Sequence, residues 1–254
     1  MKNEKNLLLG KKTNYKKQYS QNILQQIKRA KPSNLSKFYG KDIWNCYDFM
    51  FLNEKEVPLA GILTFEVPCE SNYIIESKSM KLYLGSFYNR KFKDVDDVLT
   101  TLKKDLEEVL KVDLHLYLNL NVNENVKFKK IKSSCLENDD EKIFESNGIQ
   151  YCHTNSFRSL CPVTGQPDFA SIFFEYESGK IIKDDLRKYI YSFSEKSGFH
   201  EECIEEIYTH LKKKYDLHSL VVYGNFNRRG GIDINPIRYS EKKYEVKFER
   251  QIRQ

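Results

Sequence analysis

The clearest periodic pattern in the chain lies between Asp94 and Lys111, where apolar side chains recur every three or four residues. Residues at this spacing share one face of an α-helix, and the aspartates at the start of the segment favour a helix N-terminus. The same reasoning predicts a helix from His200 to Tyr215, a shorter one from about Asp184 to Phe193, and an amphipathic helix from Tyr15 to Ala30.

Shorter apolar and β-branched runs predict strands that are bounded by turns. The stretch from Glu76 to Phe87 is predicted to be a strand end that leads into a short helix, and turns are predicted at Asn53 to Glu56 and at Ser178-Gly179. The predicted strands are Ile43 to Leu52, Pro58 to Val67, Leu114 to Leu120, Val126 to Ile131, Ala170 to Glu177, Lys180 to Ile182, Ser219 to Phe226 and Tyr244 to Glu249.

The two halves of the chain also match in sequence. Lys81 to Phe87 aligns with Arg187 to Phe193 at an offset of 106 residues, and Pro58 to Glu66 aligns with Pro167 to Glu175 at an offset of 109. A duplicated ββααββ unit explains both matches, and chance similarity between amphipathic helices is the alternative. The predicted class is therefore α+β, with antiparallel sheets and helices on one face. The predicted parts are an N-terminal lead-in (1–40), a first module (41–132), a linker (133–158) and a second module (159–254).

Composition narrows the function classes. The 254 residues carry a formal net charge of +6, and part of the excess lies in a lysine-rich N-terminal arm. Basic surfaces attract polyanions weakly, but the chain lacks the arginine and aromatic pattern of a nucleic-acid reader, so a solvated surface is favoured. With no signal-peptide pattern, no membrane-length apolar run and six widely spaced cysteines, we predict free thiols in the cytoplasm.

One segment combines reactive side chains with proline and glycine residues that restrict or free the backbone. Cys161 and Asp168 lie seven positions apart on either side of two prolines and a glycine, which predicts a shaped loop from Ser159 to Phe169. A thiol beside a carboxylate that can move protons is the arrangement of covalent catalysis. The alternative is a cysteine that simply packs as a small apolar residue.

The differences between the halves predict where such chemistry would lie. Cys161, Asp168 and the pair His200-Glu201 have no equivalents at the aligned positions of the first half. Conversely, Glu76-Ser77-Lys78 aligns with Ile182-Lys183-Asp184, so this acidic-basic pair occurs only in the first half. We therefore predict one composite pocket that takes walls from both halves. His200 is the second candidate for proton transfer, and an ionised Glu201 at a helix start suits ring N–H donors.

Two further segments admit two interpretations each. Cys135, Cys152 and His153 could be proposed as a zinc site, but their spacing fits no common pattern, so no metal is predicted. The stretch from Arg228 to Pro236 contains two arginines and two glycines, which suit a phosphate group, yet a plain hairpin turn with solvated arginines explains it equally well.

Taken together, these segments resemble the 7-cyano-7-deazaguanine reductase family, the NADPH-dependent nitrile reductases of queuosine biosynthesis, in its two-module type. The matching segments are Glu76 to Phe87, Cys161 to Asp168, Phe199-His200-Glu201, Arg228 to Pro236, Ile43 to Tyr47 and Arg250 to Gln254. They are spread over most of the chain, and the first three together are highly specific.

The resemblance implies the tunnelling fold (T-fold) shared with GTP cyclohydrolase I, and two NADPH molecules consumed per turnover. Cys161 would add to the nitrile carbon to give a covalent thioimide, with Asp168 as proton donor and His200 assisting. The residues implied to hold the deazaguanine are Ile75, Glu76, Ser77, His200 and Glu201. The residues implied to contact NADPH are Ser77, Lys78, Arg229 and Gly230.

The partners expected on this basis are a small-molecule substrate and a second copy of the chain, with no direct contact to nucleic acid or membrane. Since T-fold barrels are built from several ββααββ units, two per chain make a homodimer the smallest closed assembly. Two other functions remain open: a cyclohydrolase-like enzyme of the same fold, which would need a metal site, and a non-catalytic purine-binding protein in which Cys161 is only packed.

Overall fold

The computed structural model describes residues 18–120, 133–138, 143–242, 244, 251, 253 and 254. These residues form two compact units, neither of which is continuous in sequence. The first unit contains residues 18–29, 43–120 and 228–233, and the second contains the remaining described residues. The α+β class predicted from the sequence is confirmed.

The first unit is built on a small sheet in the order β6-β3-β2, with β5 parallel to β2. A separate antiparallel pair joins β1 to β4. The turn between β2 and β3 follows the sequence prediction, because Asn53 Oδ1 accepts the backbone N–H groups of Lys55 and Val57. The strands are β1 (Gln26–Lys28), β2 (Tyr39–Asn53), β3 (Pro58–Pro68), β4 (Tyr73–Ile75), β5 (Lys91–Phe92) and β6 (His115–Asn119).

Two helices, α1 (Ser77–Gly85) and α2 (Val95–Leu110), complete the first unit. The apolar stripe of α2 is buried as its periodicity predicts, with Val98, Leu102 and Leu106 fully inaccessible. Asp105 lies on the same buried side and accepts hydrogen bonds from Tyr83 and Tyr19, which satisfies its carboxylate away from water.

Asp94 caps the N-terminus of α2, and its removal gives a first test of the fold. Asp94 Oδ1 accepts the backbone N–H of Asp97 at 2.9 Å. We expect Asp94→Ala to lower the free energy of unfolding by about 1 kcal/mol, because one helix N–H loses its acceptor. Asp94→Asn keeps an acceptor and should restore most of the loss. Equal stability of the two variants in chemical denaturation would contradict this role.

The second unit contains a sheet in the order β11-β10-β9-β8-β7. Its neighbours are antiparallel except β7 and β8, which are parallel. The strands are β7 (Ser134–Cys135), β8 (Ile143–Leu160), β9 (Pro167–Ile182), β10 (Ser219–Phe226) and β11 (Ile232–Tyr239).

Helices α3 (Lys183–Tyr191) and α4 (His200–Lys214) lie in the second unit, and a 3-10 turn at Ser192–Glu195 follows α3. Both helices occupy the predicted ranges within two residues. The core of the unit draws on the helices and on alternate residues of the strands, so the helices cover one face of the sheet. Its buried side chains include Ile172, Phe174, Leu186, Ile190, Ile204, Tyr208, Leu211 and Val222.

A fully buried arginine ties α4 to the strands of the second unit. The Nη2 atom of Arg238 lies 2.8 Å from Asp42 Oδ1 and 2.7 Å from Glu205 Oε1, and its Nη1 donates to the carbonyl of Lys41. None of the three charged side chains is more than 4% exposed. Each of these buried carboxylates therefore has Arg238 as its cation within the described network.

Three predictions of secondary structure are wrong. Within the predicted helix from Tyr15 to Ala30, residues 21–23 form a 3-10 turn and Gln26–Lys28 forms β1, because pairing with β4 outweighs helix propensity. Residues 143–158 of the predicted linker belong to β8, which pairs along β9. The predicted turn at Ser178-Gly179 is absent, since β9 continues through it to Ile182.

Other predictions need smaller corrections or stay untested. The loop predicted from Ser159 to Phe169 is confined to residues 161–166. Residues 232–236 of the stretch from Arg228 to Pro236 belong to β11, where no strand was predicted. The predicted strand from Val126 to Ile131 lies outside the described residues, as does the predicted strand from Tyr244 to Glu249 apart from its first residue.

The helices that match in sequence also match in structure. Helices α1 and α3 begin and end at the same offset of 106 residues that relates their sequences. The next helix along the chain, α2 or α4, is longer in each case and is followed by a strand. Among the described residues, no helix is both long and apolar enough to cross a membrane.

Candidate active site

Cys161 is the first residue of the loop that joins β8 to β9. Its backbone N–H donates to Gln166 and its carbonyl accepts from Gly165, so the six-residue loop is closed by two backbone hydrogen bonds. Gly165 supports this turn with a φ of 67°, a conformation that other residues adopt rarely. The cysteine is 7% exposed. The sequence therefore places the thiol on a fixed and nearly buried turn.

Asp168 lies on the adjoining strand of the same hairpin, where it pairs with Ser159. It is 5% exposed, and its Oδ2 atom lies 3.5 Å from Nε2 of His200. The hairpin and the helix that carries His200 are joined by the backbone, because Leu160 donates to Lys196 and accepts from Gly198. Thiol, carboxylate and imidazole thus come from two adjacent elements of the second unit.

His200 is the first residue of α4 and stacks on Phe226 of β10. Their ring centroids are 3.8 Å apart and their planes differ by 9°. The Nδ1 atom of His200 is buried and makes no hydrogen bond to any residue of the described part of the chain. With Nε2 facing Asp168, the imidazole can exchange a proton with that carboxylate.

Glu201 and Glu202 follow His200 in the first turn of α4. Glu201 is 3% exposed, whereas Glu202 has a capping role, since its Oε2 accepts the backbone N–H of Phe199. Carboxylates are stabilised at this end of a helix by the helix dipole. Glu201 therefore lies directly after His200, buried in the first turn of α4.

Four other cysteines have surroundings that favour the protonated thiol. Burial raises the pKa of the Cys46 and Cys152 thiols, and it raises that of Cys203 to about 12. Cys135 is partly exposed, but burial together with its hydrogen bond to Glu137 raises its pKa as well. Thiols held in the protonated form are poor nucleophiles.

No metal site emerges around the residues considered in the sequence. Cys152 is buried, Cys135 donates to Glu137, and Nδ1 of His153 lies 2.5 Å from Ser133 Oγ. Burial lowers the pKa of His153. No cluster of three or more histidine, cysteine or acidic side chains suited to a metal ion occurs within the described ranges.

In the first unit, Glu76 is the N-cap of α1. It is 2% exposed, and its two carboxylate oxygens accept the backbone N–H groups of Lys78 at 2.9 Å and Ser79 at 2.7 Å. Ile75 precedes it at the end of β4, and Ser77 follows as an exposed residue. These hydrogen bonds fix the orientation of the carboxylate, which keeps further lone pairs for a ligand.

The segment Arg228-Arg229-Gly230-Gly231 forms a tight hairpin turn before β11. Arg229 and Ile232 exchange backbone hydrogen bonds, and φ is positive at both glycines, with values of 59° and 84°. A Cβ atom at Gly230 would lie 2.8 Å from Lys81 Nζ. The turn thus lies against Lys81, which shares one face of α1 with Ser77 and Lys78.

Residues outside the predicted set hold this turn in place. Asp233 is 1% exposed and accepts hydrogen bonds from Tyr47 at 2.7 Å and Asn45 at 2.8 Å. The backbone N–H of Tyr47 donates to Gly231, and the guanidinium of Arg228 lies 4.0 Å from the centre of the Tyr47 ring. The polar residues Asn45 and Tyr47 within a strand were the available sequence signal for this network.

The predicted site residues therefore fall into two groups, each described within its own unit. The second unit contains Cys161, Asp168, His200 and Glu201, and within this set His200 Nε2 lies 3.5 Å from Asp168 Oδ2. The first unit contains Ile75, Glu76, Ser77, Lys78, Arg229 and Gly230, and Lys81 connects α1 to the arginine turn. A nearly buried thiol, a carboxylate and an imidazole are the groups used by enzymes that act through covalent thiol catalysis.

Two family models match the chain. The family model described as "Nitrile reductase, 7-cyano-7-deazaguanine-reductase N-term" matches residues 15–118. A second model, described as "QueF-like protein", matches residues 167–245. The matched ranges include every predicted site residue except Cys161, which lies between them.

Curated relatives match along almost the whole chain. A protein of Burkholderia orbicola is 37% identical, with 91% of this chain and 92% of the relative aligned. Proteins of Colwellia psychrerythraea and Rickettsia typhi are each 34% identical, with 98% and 93% of this chain and 96% and 94% of the relatives aligned. All three are named NADPH-dependent 7-cyano-7-deazaguanine reductase. The chain belongs to the 7-cyano-7-deazaguanine reductase family.

Proposed function

We propose that the chain reduces the nitrile of 7-cyano-7-deazaguanine to an aminomethyl group at the expense of two NADPH, through a thioimide on Cys161. Family membership supports the reaction. The observation that carries the mechanism is that Cys161 and Asp168 lie on one hairpin, where the Asp168 carboxylate is 3.5 Å from the imidazole of His200. The reaction would supply queuosine biosynthesis with the aminomethyl product.

The first step is addition of the thiol to the nitrile. The sulfur of Cys161 forms a bond to the nitrile carbon, one C–N π bond breaks, and the thiol proton ends on nitrogen. Asp168 accepts that proton and delivers it, while His200 assists through the 3.5 Å contact with Asp168. The product is a C=N group attached to the protein, which is a better hydride acceptor than a free nitrile.

Covalent attachment divides a four-electron reduction into two manageable stages. NADPH, when bound, would supply one hydride to the carbon at each stage. Cys161 leaves as thiolate after the first stage, and Asp168 with His200 provides the protons that nitrogen needs. The low exposure of Cys161 and Asp168, 7% and 5%, supports exclusion of the water that would hydrolyse an imine.

The deazaguanine ring is proposed to be held by Ile75, Glu76, Ser77, His200 and Glu201. A guanine-like edge offers adjacent N–H donors, and buried carboxylates are strong acceptors for them. Glu76 and Glu201 are 2% and 3% exposed. A buried carboxylate oxygen that lacks a hydrogen-bond donor costs its desolvation free energy, so donors from the ring would stabilise both side chains.

Ser77, Lys78, Arg229 and Gly230 are proposed to contact NADPH. Their chemistry fits a phosphorylated ligand, because the glycine turn permits close backbone approach and lies beside Lys81. The segment Arg228 to Gly231 forms a hairpin turn, which was one of the two interpretations of its sequence. Arg229 is exposed on this turn, where its guanidinium is accessible to a phosphate group.

The family resemblance also implies the tandem T-fold arrangement, and the matching helix pairs of the two halves support it. On this basis we propose a first module over residues 41–132, a catalytic module over 159–254, and a homodimer in the cytoplasm. The substrate is a free base, so no direct contact with RNA is proposed.

The activity is tested by incubating the purified protein with 7-cyano-7-deazaguanine and NADPH. We expect the aminomethyl product by mass spectrometry, with two NADPH oxidised for each nitrile consumed. NADPH oxidation at 340 nm gives the stoichiometry. Failure to form the amine with a folded protein would refute the proposed function.

Arg229 provides a test of the NADPH site. We expect Arg229→Ala to raise the KM for NADPH about tenfold, because a charge-assisted hydrogen bond to phosphate contributes roughly 1.5–3 kcal/mol. The matched control is Arg187→Ala, which removes another exposed arginine, one that forms an ion pair with Asp184 on α3. An unchanged KM for NADPH in Arg229→Ala would exclude this residue from the site.

A further inference from the structure

The ring that covers His200 is itself held by a polar network. Phe226 is fully buried at the end of β10, and its backbone N–H donates to Asn235 Oδ1 at 3.1 Å. The same oxygen accepts Nε2 of Gln254 at 2.9 Å, and that nitrogen also lies 3.5 Å from the Phe226 carbonyl. Asn235 is 1% exposed. One amide oxygen and one amide nitrogen therefore fix both backbone polar groups of Phe226.

Gln254 is held in turn by its own neighbours. Its side-chain oxygen accepts the backbone N–H of Gln251 at 2.9 Å, and its backbone N–H donates to the Gln251 carbonyl at 3.1 Å. The adjacent Arg253 donates to the carbonyl of Asn155 on β8. The amide of Gln254 thus approaches Asn235 from a turn that is anchored to the same sheet.

The position of Phe226 decides where His200 can lie. Phe226 pairs with Ala170, two residues after Asp168, and Asn227 donates to the carbonyl of Phe169. The imidazole lies parallel to the Phe226 ring at 3.8 Å, so a displacement of that ring alters the 3.5 Å separation of His200 Nε2 from Asp168 Oδ2. Proton transfer depends steeply on such distances.

We propose that Asn235 and Gln254 are positioning residues for the reaction, which act through Phe226 to keep His200 facing Asp168. The proposal rests on the proposed function, since it assumes that Asp168 and His200 transfer protons to the substrate. It assigns a role to Gln254, which lies outside both matched family ranges.

The test compares Gln254→Ala with variants of Asn235. We expect Gln254→Ala to lower kcat about tenfold with both KM values within about twofold, because only the proton-transfer geometry changes. Asn235→Leu removes the shared acceptor and should lower kcat at least as far. Asn235→Asp retains an oxygen for both donors and should recover most of the kcat lost in Asn235→Leu.

A matched control separates positioning from general destabilisation. Asn53 Oδ1 also accepts two N–H groups, in the turn between β2 and β3. Asn53→Ala should lower the melting temperature and leave kcat unchanged. If Gln254→Ala and Asn235→Leu behave like Asn53→Ala, with reduced stability and normal kcat, the inference is wrong.

Asp168→Asn and His200→Asn are measured in parallel. Loss of kcat in these two variants together with normal kcat in Gln254→Ala and Asn235→Leu would overturn the positioning role alone. Normal turnover in Asp168→Asn and His200→Asn would overturn the proposed mechanism, and the positioning role with it.

Discussion

Replacement of Cys161 by alanine should abolish both turnover and covalent capture of the substrate. When the unmodified protein is mixed with 7-cyano-7-deazaguanine without NADPH, intact-protein mass spectrometry should show an increase equal to the mass of one substrate. No atom leaves in thioimide formation, so the mass gain is the full mass of the nitrile. Cys161→Ala lacks the only sulfur that the mechanism uses and should show no gain.

Two controls define what that result means. Cys135→Ala removes a more accessible thiol whose pKa is raised by burial and by Glu137, and it should still form the adduct. Asp168→Asn should bind the substrate but form the adduct slowly, with a rate loss of about 10²–10⁴ typical of a lost general acid. An adduct in Cys161→Ala would remove Cys161 from the mechanism.

Arg238→Ala should be the most destabilising single substitution among those considered. It leaves Asp42 and Glu205 buried without the cation that lies within 2.8 Å of both. Removing one partner from a buried ionic network costs about 3–5 kcal/mol. For units of this size we expect the melting temperature to fall by roughly 10 °C, which calorimetry or circular dichroism would measure.

The control for this prediction is again Arg187→Ala, an exposed arginine whose loss should change the melting temperature by no more than about 2 °C. A combined Asp42→Leu, Glu205→Leu and Arg238→Met variant should recover much of the stability, because apolar side chains replace the whole network. If Arg238→Ala has the same melting temperature as the unmodified protein, the buried ionic network does not stabilise the fold as the geometry indicates.

The helices were predictable because amphipathic periodicity is a local property. The apolar stripe of α2 and its N-cap, Asp94, lie within one short segment of the sequence, and the helix observed there has the predicted position. The strands β1 and β8 were not predictable in this way. Their conformation depends on pairing with β4 and β9, and the polar composition of both segments resembles that of a helix or a linker.

The candidate site was predictable to the extent that its residues lie in short motifs. Cys161 with Asp168 and His200 with Glu201 are local pairs, and the structure places both pairs in the second unit. The stack of His200 on Phe226 was not foreseeable, because it joins a helix start to the end of a strand. The capping role of Glu76 was also missed, because glutamate is not among the residues preferred at helix N-caps.

Residues 228–233 belong to the first unit although most of the second unit precedes them in sequence. During synthesis on a ribosome, Asn45 and Tyr47 emerge long before Asp233, the acceptor that both require. A fragment that stops at residue 120 would therefore lack this acceptor and the arginine turn, so the two units cannot be exchanged between relatives by a single crossover.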